Sequence, residues 1–193
     1  MMGVYVAVAL GVVGFVGTTY FLGFNSATSL LASTTFHYGT EYTFIVIPLF
    51  VAMGLFAAEE GISKDAYDAL AKWIGNVRGG LGIATVGACA IFGTLTGSSV
   101  VTSVVFAKVS VPEMRRHGYD GSLSYGLVCT AGAIGMFIPP SLLAVVYSLI
   151  TGESLGQLLL AGIGPGLLLT AGLILALVVL LTFRPSLGPT RAI

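Results

Sequence analysis

From Gln157 to Phe183 the chain runs without one charged side chain, and further uncharged apolar stretches begin at Met2, Tyr42, Gly79 and Leu123. A helix needs about 20 such residues to cross a hydrocarbon core of roughly 30 Å. Lipid cannot satisfy backbone N–H and C=O groups, so only helices and closed barrels span a bilayer. The polar/apolar alternation of about ten residues that marks a barrel strand is missing. The predicted class is therefore all-α, a polytopic transmembrane helical protein. Composition agrees: charged residues make up 8% of the chain, against about a quarter in soluble domains.

Several function classes are excluded at this level. Formal net charge is zero, which offers nucleic acid no electrostatic footprint. No Gly-Lys-Ser/Thr phosphate loop is present, so the chain itself has no means of using ATP. No nucleophile, base and orienting acid stand in a recognisable pattern, and an enzyme is not expected. Cys89 and Cys129 lie in apolar runs without zinc-type spacing to His37 or His117 and are read as packing residues. His37 and His117 are read as residues of solvated loops. The apolar start from Met1 to Leu22 lacks a basic leader and a clear cleavage site, and is read as a membrane segment rather than a signal peptide.

Along the chain, Met2 to Leu22 is the first segment, followed by a polar stretch from Asn25 to Glu41 expected to be an interfacial loop or short helix. The second segment runs from Tyr42 to about Ala58, with a kink expected at Pro48, and ends at Glu59-Glu60-Gly61. From Ser63 to Val77 the pattern is amphipathic. Ala66, Tyr67, Leu70, Trp73, Ile74 and Val77 share one helical face, as in a helix lying on the membrane surface. Ser63 is its expected N-cap, Trp73 its interfacial anchor, and Arg78-Gly79-Gly80 its stop.

The stretch from Gly79 to about Val109 is too long for one ordinary span and carries Thr94, Thr96, Gly97, Ser98, Ser99 and Thr102 near its middle. It is either a single tilted helix or a re-entrant hairpin turning at Gly97-Ser98-Ser99. Charge position favours the hairpin. Lys64, Lys72 and Arg78 precede it; Arg115 and Arg116 follow it in the expected loop Pro112 to Asp120. A hairpin keeps both groups, with Lys108, Arg184 and Arg191, on one face, as the preference of Lys and Arg for the cytoplasmic side requires.

The next stretch, Leu123 to about Ile150, must open at Ile138-Pro139-Pro140-Ser141, because two successive prolines cannot sit inside a regular helix. Thr151 to Ser154 is a short loop, and Gln157 to Phe183 is the final span. The expected organisation is 1–62 scaffold-like segments, 63–78 a surface arm, 79–151 the hairpin and broken helix, 152–184 the last span, and 185–193 a tail.

Irregular backbone at membrane depth is tolerated only where it is buried or lines a wet cavity. Two such places are expected, the tip at Thr96-Gly97-Ser98-Ser99 and the break at Ile138-Pro139-Pro140-Ser141. Unwound carbonyls suit a small cation, and half-helix N-termini suit a carboxylate. Ser98, Ser99, Thr102 and Ser141 add hydroxyl oxygens, and oxygen-only ligation suits sodium. The candidate ion and substrate residues are thus Gly97, Ser98, Ser99, Thr102, Ile138, Pro139, Pro140 and Ser141, with sodium at Ser98, Ser99 and Ser141. Competing readings are that the hydroxyls bond back to carbonyls one turn earlier, and that Gly93 and Gly97 form a small-residue packing motif. No intramembrane carboxylate is present to carry a proton relay.

Five motifs in order carry a family resemblance: Ile47-Pro48-Leu49-Phe50-Val51-Ala52-Met53-Gly54, Arg78-Gly79-Gly80-Leu81, Gly97-Ser98-Ser99-Val100, Pro112 to Tyr119, and Ile138-Pro139-Pro140-Ser141. Over about Gly3 to Leu181 the chain resembles the large membrane subunit of the tripartite ATP-independent periplasmic (TRAP) transporters, in its N-terminal half. The resemblance implies one half of an inverted-repeat, elevator-type permease in the bacterial or archaeal cytoplasmic (inner) membrane. It implies sodium-coupled uptake of organic acids, sodium being the coupling ion and no other cofactor being called for. The implied partners are a small TRAP membrane subunit, a periplasmic substrate-binding protein and the missing C-terminal inverted half. Family members are longer, and Tyr5 stands where they usually carry the proline of Gly-Val-Pro; the expectation is a chain truncated at both ends or naturally split. The competing expectation is a non-transporting scaffold or truncated remnant; a self-paired channel is disfavoured by the one-sided basic charge.

Overall fold

The computed structural model describes residues 5–77 and 79–188, with the side chains of Thr43 and Phe44 set aside. Arg78, Arg191 and the end of the tail lie outside the described residues, as does the start of the first segment. Every regular element among the described residues is helical. The chain forms two compact units, Met1–Ile45 and Val46–Ile193.

The first unit is built on α1 (Val6–Leu22) and α2 (Phe24–Thr40), which pack together around the buried Ala27. Gly23 separates them with φ +83°, a backbone conformation that glycine adopts without a side-chain clash. The polar stretch expected as a loop or short helix is thus a full 17-residue helix. Its Thr28 and Thr40 hydroxyls bond back to carbonyls of the preceding turn, which lets polar residues sit on an exposed helix. His37 belongs to this helix rather than to a loop, 3.9 Å from Glu41.

The second unit comprises α3 (Val46–Glu59), α4 (Ile62–Ile74), α5 (Gly80–Thr96), α6 (Ser99–Arg116), α7 (Gly121–Ala133), α8 (Leu142–Thr151) and α9 (Leu155–Phe183). Pro48 stands in the first turn of α3, just after the 3-10 turn Tyr42–Ile45, a position at which proline is tolerated. α3 and α4 meet at 61°. Gly61, with φ +78°, occupies the N-cap position of α4 where Ser63 was expected; Ser63 lies inside the helix and is buried. α4 also ends at Ile74, short of Val77.

α4 packs its apolar face on α5 and α6 through Tyr67, Leu70 and Ala71. Trp73 is 86% exposed, so it takes no part in that contact. Tyr67 is buried, yet its hydroxyl has no hydrogen-bond partner among the described residues. The nearby Thr85 hydroxyl donates its proton to the Leu81 carbonyl at 2.8 Å. Burial, helped by Glu113, pushes the Tyr67 phenol well above its ordinary pKa. An orphaned buried hydroxyl costs about 1–3 kcal/mol, so Tyr67→Phe is expected to raise stability by about 1 kcal/mol. Thermal unfolding in detergent checks this; a loss of stability would mean that the hydroxyl does hold a partner.

α5 is the centre of the unit and touches α3, α4, α6, α7 and α9. Its glycines and alanines allow that approach from every side, as in membrane helix packing. α5 and α6 run antiparallel. Thr96 meets Thr102 at 3.0 Å, Phe92 meets Phe106 with ring centroids 5.7 Å apart, and Thr85 meets Met114 at 3.5 Å. Successive contacts step inward on one helix and outward on the other, so the pair is a hairpin rather than one tilted rod. α6 continues through Pro112 to Arg116, so the loop expected from Pro112 begins only at His117. The packing of Ser110, Val111 and Met114 in the interior holds that last turn in place despite the lost N–H.

The open end of the hairpin is closed by the end of α9. A Cβ on Gly79 or Gly82 would meet Leu181 or Leu177, and the Asp120 amide donates to the Leu187 carbonyl at 3.0 Å. The chain segments bearing Arg115, Arg116 and Arg184 therefore gather at one end of the unit, as the charge argument required. α7 starts at Asp120, whose carboxylate accepts from the Ser122 and Leu123 amides at 2.8 and 3.2 Å. Cys89 is buried in α5, whereas Cys129 is exposed on α7 and is not a packing residue within this chain. α9 is the one described helix that is long and apolar enough by itself to cross a membrane; α3 and α4 pass the same test only taken together.

Candidate functional site

Two interruptions meet inside the second unit. The first is the hairpin tip, where Gly97 takes φ +59° and Ser98 is extended. The second is the break after α7, which decays through a short 3-10 turn at Ile134–Met136 and restarts at Leu142. The Pro139–Pro140 peptide bond is cis. The Leu142 amide donates to the Gly97 carbonyl at 3.4 Å. A Cβ on Gly97 would lie 2.6 Å from the Pro140 carbonyl oxygen, and one on Gly93 would lie 2.5 Å from the Gly135 Cα. Both glycines are therefore places where backbone touches backbone.

Serines begin both restarted helices. Ser98 Oγ accepts from the Val101 amide at 3.5 Å, and Ser141 Oγ accepts from the Ala144 amide at 3.3 Å while donating to the Met136 carbonyl. Each satisfies one of the four orphan amides of its helix. Thr102 Oγ1 donates to the Ser98 carbonyl at 2.8 Å and lies 3.0 Å from Thr96 Oγ1. Thr94 bonds back to Ile91 at 2.6 Å. The Ser99 side chain makes no hydrogen bond among the described residues, and neither do the carbonyls of Ile138, Pro139 and Pro140.

Four helix ends thus converge. The C-terminal ends of α5 and of the α7 turn bring carbonyl oxygens and partial negative charge; the N-terminal ends of α6 and α8 bring amides and partial positive charge. One junction can therefore address a cation and an anion at adjacent points.

Of the residues singled out from the sequence, Gly97, Ser98, Thr102, Pro140 and Ser141 belong to this junction. Ser99 lies beside the tip at the start of α6, and Pro139 lies in the break; the structure records no contact joining either to the opposite element. Ile138 packs on α9, where a Cβ on Gly166 would meet its Cγ1 at 2.6 Å. The competing readings hold as well: Thr94 and Thr102 do bond backward, and Gly93 does serve close packing. Two further residues matter. Thr96, buried, bridges Ser98 and Thr102 and sits against Gly54 of α3. Gly135 receives Gly93, and its signal was the small-residue run Ala131-Gly132-Ala133.

Over residues 1–192 the chain matches the family model described as "Tripartite ATP-independent periplasmic transporter, DctM component". It is 40% identical over 154 residues to the C4-dicarboxylate TRAP transporter large permease protein DctM of Pseudomonas aeruginosa, covering 80% of this chain and 36% of that protein. The Vibrio cholerae protein of the same name is 37% identical over 187 residues, covering 95% of this chain and 40% of the relative. The isethionate TRAP transporter permease protein DctMQ of Oleidesulfovibrio alaskensis is 32% identical over 168 residues, covering 87% and 26%. The chain spans about two fifths or less of the length of these relatives. The five motifs, the all-helical fold and the family match agree that the chain belongs to the DctM family of TRAP transporter large permeases, an integral membrane family of transporters rather than enzymes.

Proposed function

We propose that this chain supplies one half of a sodium-coupled permease that imports a carboxylated solute across the cytoplasmic (inner) membrane. The working assembly adds the second, inverted half, a small membrane subunit and a periplasmic binding protein. The observation that carries this reading is the convergence of four helix ends at Gly97, Ser98, Pro140 and Ser141. Broken helices at such a point supply carbonyl oxygens to a hard cation and amides to a carboxylate. Because the Ser98 and Ser141 hydroxyls also act as caps, the carbonyls of Ile138, Pro139 and Pro140 carry much of the ion ligation in this proposal, with Ser98, Ser99 and Ser141 completing it. Relatives named for C4-dicarboxylate transport support an organic acid as solute.

Binding that favours the folded state stabilises it by about 2.7 kcal/mol at a ligand concentration a hundredfold above Kd. The purified chain should therefore unfold at higher temperature in sodium than in potassium at equal ionic strength. Ser98→Ala combined with Ser99→Ala should reduce that difference. A thermal midpoint indifferent to the choice of cation would overturn the sodium assignment.

A further inference from the structure

At the end of the hairpin away from the junction, the last turns of α6 and the start of α7 enclose a cleft of about 420 Å³ lined by Ala107, Val111, Pro112, Arg115, Arg116 and Tyr125. Basic residues at a helix C-terminus are ordinary, since they complement its partial negative charge. Their surroundings here are less ordinary. Arg116 lies 3.6 Å from Glu113, while Arg115 has no acidic partner among the described residues and leans over Gly121 at the start of α7. Tyr125 is half exposed beside them.

An apolar track leads away from the two guanidinium groups. Val100, Val104, Ala107 and Val111 recur at three- and four-residue intervals, so they share a face of α6 that leads to Arg115. Val100 and Val104 are exposed, and on the α7 side Tyr125 and Cys129 are exposed one turn apart. From Val100 to Arg115 the face extends about 22 Å at 1.5 Å per residue. One leaflet of the hydrocarbon core is roughly 15 Å deep. The track is therefore long enough for an acyl chain to lie along it from a headgroup held at the arginines.

We propose that this cleft binds an anionic phospholipid, its phosphate between Arg115 and Arg116, its glycerol region against Tyr125, and one acyl chain along Ala107, Val104 and Val100. Charge complementarity selects the headgroup, and the apolar wall selects a lipid over a free anion. Basic pockets between helices on the cytoplasmic side recognise headgroups by this chemistry. The proposal rests on membrane residence and is independent of sodium coupling.

The test uses the full chain in mild detergent, titrated with dioctanoyl phosphatidylglycerol, dioctanoyl phosphatidylcholine or inorganic phosphate, with retained lipid read by native mass spectrometry. Phosphatidylglycerol should bind about tenfold more tightly than phosphatidylcholine, and Arg115→Gln should weaken it about fivefold. Ala107→Trp should weaken both lipids by filling the track without altering charge. The thermal midpoint without added lipid serves as the folding control and should stay unchanged in Arg115→Gln. Equal binding of the two lipids, or full retention in Arg115→Gln, would overturn the proposal. Displacement of phosphatidylglycerol by equimolar phosphate would also overturn it, by showing a bare anion site.

Discussion

Gly97→Ala is expected to destabilise the folded chain by roughly 2–5 kcal/mol, by two independent routes. Gly97 holds φ +59° as the residue that ends α5 and turns the chain into α6. A side chain in that left-handed conformation costs about 1–2 kcal/mol. The added methyl would also sit 2.6 Å from the Pro140 carbonyl oxygen, which belongs to backbone and cannot swing aside. Overpacking of that kind costs typically about 1–3 kcal/mol. The tip can relieve the clash only by drawing away from the break, which separates the carbonyl and amide ends that the proposed ion site needs. Gly97→Ala should therefore lose sodium stabilisation as well as lower the thermal midpoint. Gly126→Ala is the control: it lies within α7 with nothing within 4 Å, and should be neutral or stabilising by up to about 1 kcal/mol through helix propensity. If the two variants unfold alike, the tip does not press on the break.

The second large effect is expected at Gly93, where Ala should cost about 2–3 kcal/mol, whereas Gly135→Ala should cost about 1 kcal/mol. The two glycines face each other, but the contact is asymmetric. A Cβ on Gly93 would lie 2.5 Å from the Gly135 Cα and 3.2 Å from its nitrogen. A Cβ on Gly135 would lie 3.1 Å from the Gly93 Cα and 3.2 Å from Thr102 Oγ1, so each neighbour need give by only a few tenths of an ångström. In lipid, helices gain little from excluding apolar surface and depend on close approach of backbones, so lost contact between α5 and the turn after α7 is not readily replaced. Thermal midpoints of the two variants in the same detergent check the order. A larger loss for Gly135→Ala than for Gly93→Ala would contradict the geometry.

Much of this architecture was legible because local chemistry forces it. Pro139 and Pro140 oblige α7 and α8 to separate, and Gly97-Ser98-Ser99 supplies a left-handed turn followed by an N-cap. Basic residues on either side of Gly79 to Val109 favoured a hairpin over a single rod, and the antiparallel contacts of α5 and α6 agree. The errors are equally local in origin. Pro112 looked like a loop because propensity was weighed without the buried Val111 and Met114 that hold the last turn of α6. Ser63 looked like a cap, yet Gly61 both ends α3 and starts α4, so the helix begins earlier. Trp73 shared a helical face with Tyr67 by periodicity, but the stripe covered by α5 and α6 is narrower than the apolar one.

By itself the sequence determined the solvent, the helical class and the points at which helices must stop. Scarcity of charge, backbone hydrogen bonding in lipid and the conformational limits of proline and glycine act within a few residues of where they are written. The tertiary structure decided which stops meet. That Gly97 lies on Pro140 and Gly93 on Gly135, some forty residues further along in each case, follows from the fit of two surfaces without side chains, and no local preference specifies such a fit. The candidate site is this meeting of interruptions, each visible in the sequence and joined only by packing.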